Sequence, residues 1–346
     1  MGFSATWGGV ASIMPAEEDM KALVTGATGF VGSHLAERLV REGLDVVCLA
    51  RATSRTRWLE GLDVELRTAD LDDADALARA VGDADYVFHC AGLTRGRTQQ
   101  EYDAVNVEGT RRLVQAILRS GAPVRRFLYV SSLAAVGPDR EVDAVDESVD
   151  PAPVDFYGRS KLGGEQVVLD QAGRLSVTIV RPPAVYGPRD TNFLPFLRVA
   201  RKWKFVPLLG GGGKRVSFVH ARDLAEGIRL AGLSEAAAGQ TYFIGGSTHT
   251  TGEFVDALSQ AMDLRIRRLN VPAWLARLAG EWGELKWKLT RRPQILSRRK
   301  IRDALRDRWT CCWDKATREL GYRPNISLVE GLRETDTWCR DQGWYA

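Results

Sequence analysis

The chain has 346 residues, 45% of them hydrophobic, and 48 Lys and Arg against 44 Asp and Glu leave a formal net charge of +4. That length suits one large or two modest domains, the apolar content excludes disorder as the main state, and so small a positive charge gives no reason to expect a nucleic-acid partner. Residues 1–19 lack the basic start of a secretory signal and read as a flexible N-terminal extension, with Met20-Lys21 opening the first strand. KALVTGA (21–27) predicts a strand and VGSHLAERLVREG (31–43) a helix that stops at Gly43. DVVCLAR (45–51) and VELRTADL (64–71) read as strands, ADALARAVGDA (74–84) as a helix, and DYVFHCAG (85–92) as a strand. VEGTRRLVQAILRSG (107–121) is helical, RRFLYVSS (125–132) is a strand, YGRSKLGGEQVVLDQAG (157–173) is helical, and LSVTIVRPP (175–183) is a strand. Apolar strands alternating with helices of this size predict an α/β domain over 20–182, a doubly wound parallel sheet covered on both faces. From 183 to 346, Gly- and Pro-rich pieces separate short helices, which predicts a smaller substrate lobe with segments returning to the sheet.

Three motifs carry chemistry. Thr25-Gly26-Ala27-Thr28-Gly29-Phe30-Val31-Gly32 lies where the first strand turns into the first helix. Glycines there let the chain turn tightly and let backbone amides reach a pyrophosphate at the positive end of the helix. The spacing is G-x-x-G-x-x-G. Arg51, with Ser54 and Arg55 just beyond, follows the second strand. An acidic residue at that place binds a ribose 2′-hydroxyl, whereas arginine accommodates a 2′-phosphate, so NADP is expected ahead of NAD. Tyr157-Gly158-Arg159-Ser160-Lys161 puts a phenol and an ammonium one helical turn apart on one face. A nearby cation is expected to lower the phenol from its ordinary value near 10 and make it a better proton donor. Ser131-Ser132 ends a strand at the carboxyl edge of the sheet, where a hydroxyl can donate to a substrate oxygen.

Taken in order, TGATGFVG (25–32), Asp70-Leu71, HCAG (89–92), Asn106-Val107-Glu108-Gly109-Thr110, YVSS (129–132), YGRSK (157–161), RPPAVYGP (181–188) and FVHARDLAEGI (218–228) resemble the extended short-chain dehydrogenase/reductases, the NAD(P)-dependent epimerase/dehydratase family. The resemblance covers roughly 21–340 and implies a Rossmann domain holding NAD(P) beneath a C-terminal substrate lobe. It implies a catalytic set of Ser132, Tyr157 and Lys161 supported by Asn106. Depending on gap placement Leu133 takes the serine's position, and Ser132 is chosen because it keeps a hydroxyl there. The cofactor set it implies is Gly26, Thr28, Gly29, Phe30, Val31, Gly32, Arg51, Asp70, Leu71, Ala91, Pro182, Tyr157 and Lys161, with Asp70 and Leu71 flanking adenine. Thr94, Ser131, Leu133, Ala184 and Val185 are placed towards substrate. A homodimer through helices flanking the sheet is also implied.

Two departures bear on substrate. Ala184 stands where many sugar-nucleotide enzymes carry an asparagine, and Val216 precedes Ser217-Phe218-Val219-His220, so the nearest base is Arg215. Arg181-Pro182-Pro183, the stretch from Trp309 to Lys315, and Arg318-Glu319-Leu320-Gly321-Tyr322-Arg323-Pro324 are more similar to the 3β-hydroxysteroid dehydrogenase-like branch and related ketone reductases. That resemblance implies reversible hydride transfer to a secondary alcohol or ketone on a hydrophobic, steroid-, terpenoid- or lipid-like substrate. A nucleotide-sugar 4-epimerase or dehydratase is the alternative, and a non-catalytic NAD(P) sensor is a third reading, which would need no Ser/Tyr/Lys set.

His34, His89, His220 and His249 show no metal-ligand spacing, and no metal is expected. His89 reads as packing near the cofactor and His220 as a structural hydrogen-bonding group. Five scattered cysteines (Cys48, Cys90, Cys311, Cys312 and Cys339) read as reduced thiols of a cytoplasmic protein. Residues 265–308 hold fourteen Lys and Arg against four Asp and Glu, interleaved with Trp274, Trp282 and Trp287. That stretch has three readings: a solvated basic face with its tryptophans in the core, a wall or lid of an apolar pocket, or a patch in membrane-surface contact.

Overall fold

The computed structural model describes residues 20–138, 143–275, 278 and 308–345. Strands β1 (Lys21–Thr25), β2 (Asp45–Ala50), β3 (Glu65–Thr68), β4 (Tyr86–His89), β5 (Arg126–Val130) and β6 (Val177–Arg181) are parallel and lie in the order β3-β2-β1-β4-β5-β6. A seventh parallel strand, Thr241–Phe243, joins beside Ile179–Arg181, so the second half of the chain does return to the sheet. The strand order reverses at β1, which opens a crevice between the carboxyl ends of β1 and β4.

The central strands are apolar on both faces because helices cover both. Ala22, Val24, Phe88 and Leu128 pack into one core; Leu23, Val87, Phe127 and Tyr129 pack into the other. Helix α1 (Phe30–Glu42) follows β1 and ends at Gly43, whose φ of 92° suits a residue without Cβ. Helix α2 (Ala74–Val81) is capped by Asp73. After β4 come the short α3 (Gln99–Asp103), a π-helical segment over Ala104–Gly109, and α4 (Thr110–Ser120). Ser132 caps the single turn α5 (Leu133–Val136), and Asp155 caps α6 (Phe156–Leu169), its carboxylate accepting from the Gly158 amide at 2.6 Å.

The rest of the chain builds a lobe over the carboxyl edge. β7 (Ala184–Tyr186) runs parallel to β9 (Arg215–His220), which also pairs with Ser247–Thr250 and Arg308–Trp309. Between them, α7 (Leu194–Trp203) leads into β8 (Phe205–Leu209). β8 pairs in parallel with Arg267–Val271. Phe218 stacks on Phe254 with ring centres 5.0 Å apart, and Phe193 and Phe196 close the same core. Helix α8 (Ala221–Leu233) lies against α1 and the sheet rather than in the lobe. The stretch 279–307, with Trp282 and Trp287, lies outside the described residues.

Candidate functional site

The site is assembled by the ends of β1, β4 and β5 and by one face of α6. At the first turn, Gly26 has φ +69°, and a Cβ there would sit 2.6 Å from the Ala91 amide nitrogen. A Cβ on Gly32 would collide with the Gly26 carbonyl. Only glycine lets the two strand ends and the start of α1 approach this closely. Gly29 begins α1 with no side-chain cap, so the amides of the first turn, Phe30 and Val31 among them, have no side chain standing in for a ligand. This uncapped, positively polarised helix start, lined by a glycine turn, fits a dinucleotide pyrophosphate. Thr28 is half-buried beside it.

Around this turn a buried relay fixes the backbone. His89 reaches the Thr25 hydroxyl with Nδ1 at 2.6 Å and the Thr110 hydroxyl with Nε2 at 3.0 Å, and Thr25 Oγ1 accepts from the Ala91 amide. Burial pushes His89 down to about 3, and the Lys161 ammonium adds to that, so the ring is neutral. It packs and orients, as its position at the strand end suggests.

Asn106 sits in the π-helical segment, 1% exposed. Its amide accepts from the Leu93 N–H at 2.7 Å and donates to the Leu93 carbonyl at 3.0 Å and to the Ser160 hydroxyl at 2.8 Å. It therefore ties the loop after β4 to α6, which is a positioning task. Lys161 is buried, its Nζ 4.3 Å from the centre of the Tyr129 ring and close to the backbone at Gly92. Burial brings Lys161 down to about 8, opposed by the charge of Glu165.

Tyr157 opens α6. A Cβ on Gly158 would strike the Ala134 carbonyl, so the glycine lets α6 lie directly on α5 and brings the tyrosine to Ser132. The Tyr157 ring lies 6.1 Å from that of Tyr102. Burial of its hydroxyl end pushes Tyr157 up to about 12, against the hydrogen bond from Ser132, which pulls it back. The remaining influences are the charges of Asp155 and Tyr102, both of which raise it. The phenol lowered by Lys161 is thus corrected: desolvation dominates, and the ammonium faces the Tyr129 ring.

Other expectations are redrawn by the packing. Ser131 donates to Glu165 at 2.5 Å, which commits its one proton to that carboxylate. Glu165, 1% exposed, is held bidentately by Arg181 at 2.9 and 2.6 Å. Leu133 is 4% exposed and packs with Val136, Val145, Phe243 and Cys311. That leaves Ser132 as the hydroxyl beside the tyrosine. Pro182 is buried and its carbonyl accepts from the Leu133 amide. Ala184 is exposed at the start of β7, Val185 is half-buried, and Thr94 is exposed on the loop after β4. Arg51 and Asp70 are exposed, and Leu71 packs over Gly109. Trp274 is 63% exposed, which overturns its place in a core. Among the described residues no cluster of His, Cys, Asp or Glu could hold a metal ion.

Two features escaped the sequence reading. Glu165 lies four residues after Lys161 and Arg181 ends an apolar strand; charges in those two places were the available signal for the buried pair. Trp58, in the loop after β2, lies 5.4 Å from Trp338 and 6.3 Å from Trp344, with Arg57 3.9 Å over its ring. Nothing in the spacing of those tryptophans marks them as neighbours.

Residues 22–245 match the NAD dependent epimerase/dehydratase family. The chain belongs to that family. This family member is an NAD(P)-dependent enzyme of the extended short-chain dehydrogenase/reductase type. It is 31% identical to a ceramide reductase of Caulobacter vibrioides, over 93% of this chain and 95% of that protein. It is 30% identical to a 4-hydroxy-2-methyl-3-oxo-4-farnesyl-3,4-dihydroquinoline-1-oxide ketoreductase of Stigmatella aurantiaca, over 90% and 95%. A dTDP-glucose 4,6-dehydratase from Streptomyces venezuelae, solved with NAD and a second ligand, superposes with a TM-score of 0.77 at 26% identity, covering 94% of this chain and 98% of that one. No helix among the described residues is long and apolar enough to cross a membrane.

Proposed function

We propose that the protein reduces a ketone on a hydrophobic small molecule, with NADPH as the reductant. The single observation that carries this reading is the Ser132–Tyr157 hydroxyl pair, set beside buried Lys161 at the carboxyl edge of a sheet whose first turn is a glycine cradle. A bound nicotinamide supplies the hydride. Tyr157, held protonated by its surroundings, gives its proton to the carbonyl oxygen, and Ser132 donates a hydrogen bond to the oxygen as negative charge develops on it. Lys161, one turn along α6 from Tyr157 and close to the Gly92 backbone, would help hold the cofactor and supply positive charge there. Asn106 keeps the β4 loop and α6 in register, so the acid and the cradle face one space. Arg51, exposed at the end of β2, is the group for a 2′-phosphate, which favours NADP over NAD.

A hydrophobic substrate is supported by the two reductase relatives, whose names specify a ceramide and a farnesylated ketone, and by Ala184, which has no polar group for a sugar diphosphate. Work in the cytoplasm, as a homodimer through the helices flanking the sheet, completes the proposal. The test follows absorbance of reduced nicotinamide with a panel of lipophilic and sugar-nucleotide substrates. Net NADPH loss with a lipophilic ketone, abolished by Tyr157→Phe, supports the reading. Turnover of a sugar nucleotide with no net change in absorbance assigns the protein to the epimerases and dehydratases instead.

A further inference from the structure

We infer that the outer face of the β8 sheet is a docking surface for an anionic lipid bilayer. The face is built by strand alternation. Val206 and Leu208 of β8 point into the lobe core, so Phe205, Pro207 and Leu209 point outwards, and Pro207 is exposed. In the paired strand, Arg268 turns to the lobe side and reaches Asp256, which sends Arg267, Leu269 and Val271 to the outer side. The register sets Leu269 beside Pro207 and Val271 beside Leu209, so the apolar groups form one continuous strip.

Large apolar groups stand at both ends of the strip. Trp203 is 61% exposed where α7 enters β8, Leu269 is 50% exposed in the middle, and Trp274 is 63% exposed just past the far end. Soluble surfaces carry single exposed apolar residues, not a strip of them ending in two tryptophans. Tryptophan is also the side chain that settles at the headgroup level of a bilayer.

The charge around the strip chooses the occupant. The stretches 201–209 and 263–275 contain six cations and one acid, Asp263. Arg201 and Arg268 are taken by Asp336 and Asp256, which leaves Lys202, Lys204, Arg265 and Arg267, all exposed, around an apolar centre. A surface of that sign repels a second copy of itself and complements phosphate headgroups, each cation adding about fivefold to partitioning onto an anionic surface. This surface goes beyond the reductase reading and is independent of it.

The test is co-sedimentation of the full chain with phosphatidylcholine vesicles, with and without phosphatidylglycerol, in low and moderate salt. The expected result is binding to the anionic vesicles at low salt, weakened severalfold by salt. The variant Lys202→Glu/Arg267→Glu should lose roughly tenfold or more in binding, and Trp203→Ser/Leu269→Ser should lose a comparable amount even at low salt. Both variants should keep the wild-type melting temperature and NADPH oxidation with a water-soluble ketone, which separates this claim from the catalytic one. No binding to anionic vesicles at low salt overturns the inference. Binding that both folded variants retain overturns it too, by placing the contact elsewhere. A dimer that Leu269→Glu dissociates, without vesicle binding, assigns the strip to a second copy.

Discussion

The carboxyl edge of the main sheet and the outer face of β8 are two ways of finishing a β-structure. At the edge, charged and polar groups are buried and tied to one another: Ser131 to Glu165 to Arg181, Thr25 to His89 to Thr110, Asn106 to Ser160. On the β8 face, apolar groups are exposed and the nearby cations have water around them. The first arrangement fixes geometry to a fraction of an ångström, because a buried polar group that loses its partner is expensive. The second leaves geometry loose and holds binding capacity in reserve. Substitutions in the first region should therefore disrupt chemistry or stability, and those in the second should touch neither.

The largest effect is expected at Tyr157, the proposed proton donor. Tyr157→Phe should lower turnover by on the order of 10²–10⁴-fold, while NADPH affinity, read by titration of protein fluorescence, stays within about threefold. Turnover near wild type would remove Tyr157 from the mechanism and with it the contrast between the regions. Next is the buried carboxylate. Glu165→Leu strands Arg181 in the core and should destabilise the fold by about 3–5 kcal/mol in urea unfolding; a loss under about 1 kcal/mol would mean the network is slack. Arg51→Ala should cut the preference for NADP over NAD by roughly 10–100-fold, compared as kcat/KM with the two cofactors. An unchanged ratio would place phosphate recognition elsewhere.

Acid should act on the buried region through its histidines. Burial brings His34 down to about 4 and His89 and His220 to about 3, below the ordinary 6.5. Between pH 6.5 and those values the unfolded chain takes up protons that the folded chain does not. Stability is therefore complete above about 6.5 and falls as pH drops, by up to about 1.4 kcal/mol per pH unit for each ring. Urea midpoints at pH 7, 6 and 5 measure the slope, and His220→Gln should flatten it; equal midpoints would mean that the rings protonate in place. The smallest effect belongs to the other region. Leu269→Ser should change stability by no more than about 0.5 kcal/mol, since its side chain is half exposed already.

The same contrast governs what the sequence discloses. The strand and helix alternation, the glycine turn and the Tyr157–Lys161 spacing are local, periodic signals, and the structure places them as those signals predict. Ser131 and Ser132 are neighbours at a strand end and point opposite ways, and only the packing of α6 against the sheet decides which hydroxyl lies beside the tyrosine. The long-range ties were invisible: Glu165 and Arg181 are 16 residues apart, and Thr25 and His89 are 64 apart. The rise of the Tyr157 phenol is hidden for the same reason, since sequence shows which cation is one turn away but not how much water burial removes.

The contact of Trp58 with Trp338 and Trp344 has its own consequence. The loop after β2, which begins at Arg51, rests through Trp58 on Trp338 and Trp344, so the proposed recognition of a 2′-phosphate and the packing of these tryptophans share one free energy. Cutting the chain after Asp341 would loosen a loop more than 280 positions earlier, and the damage would surface first as poorer discrimination between the two dinucleotides.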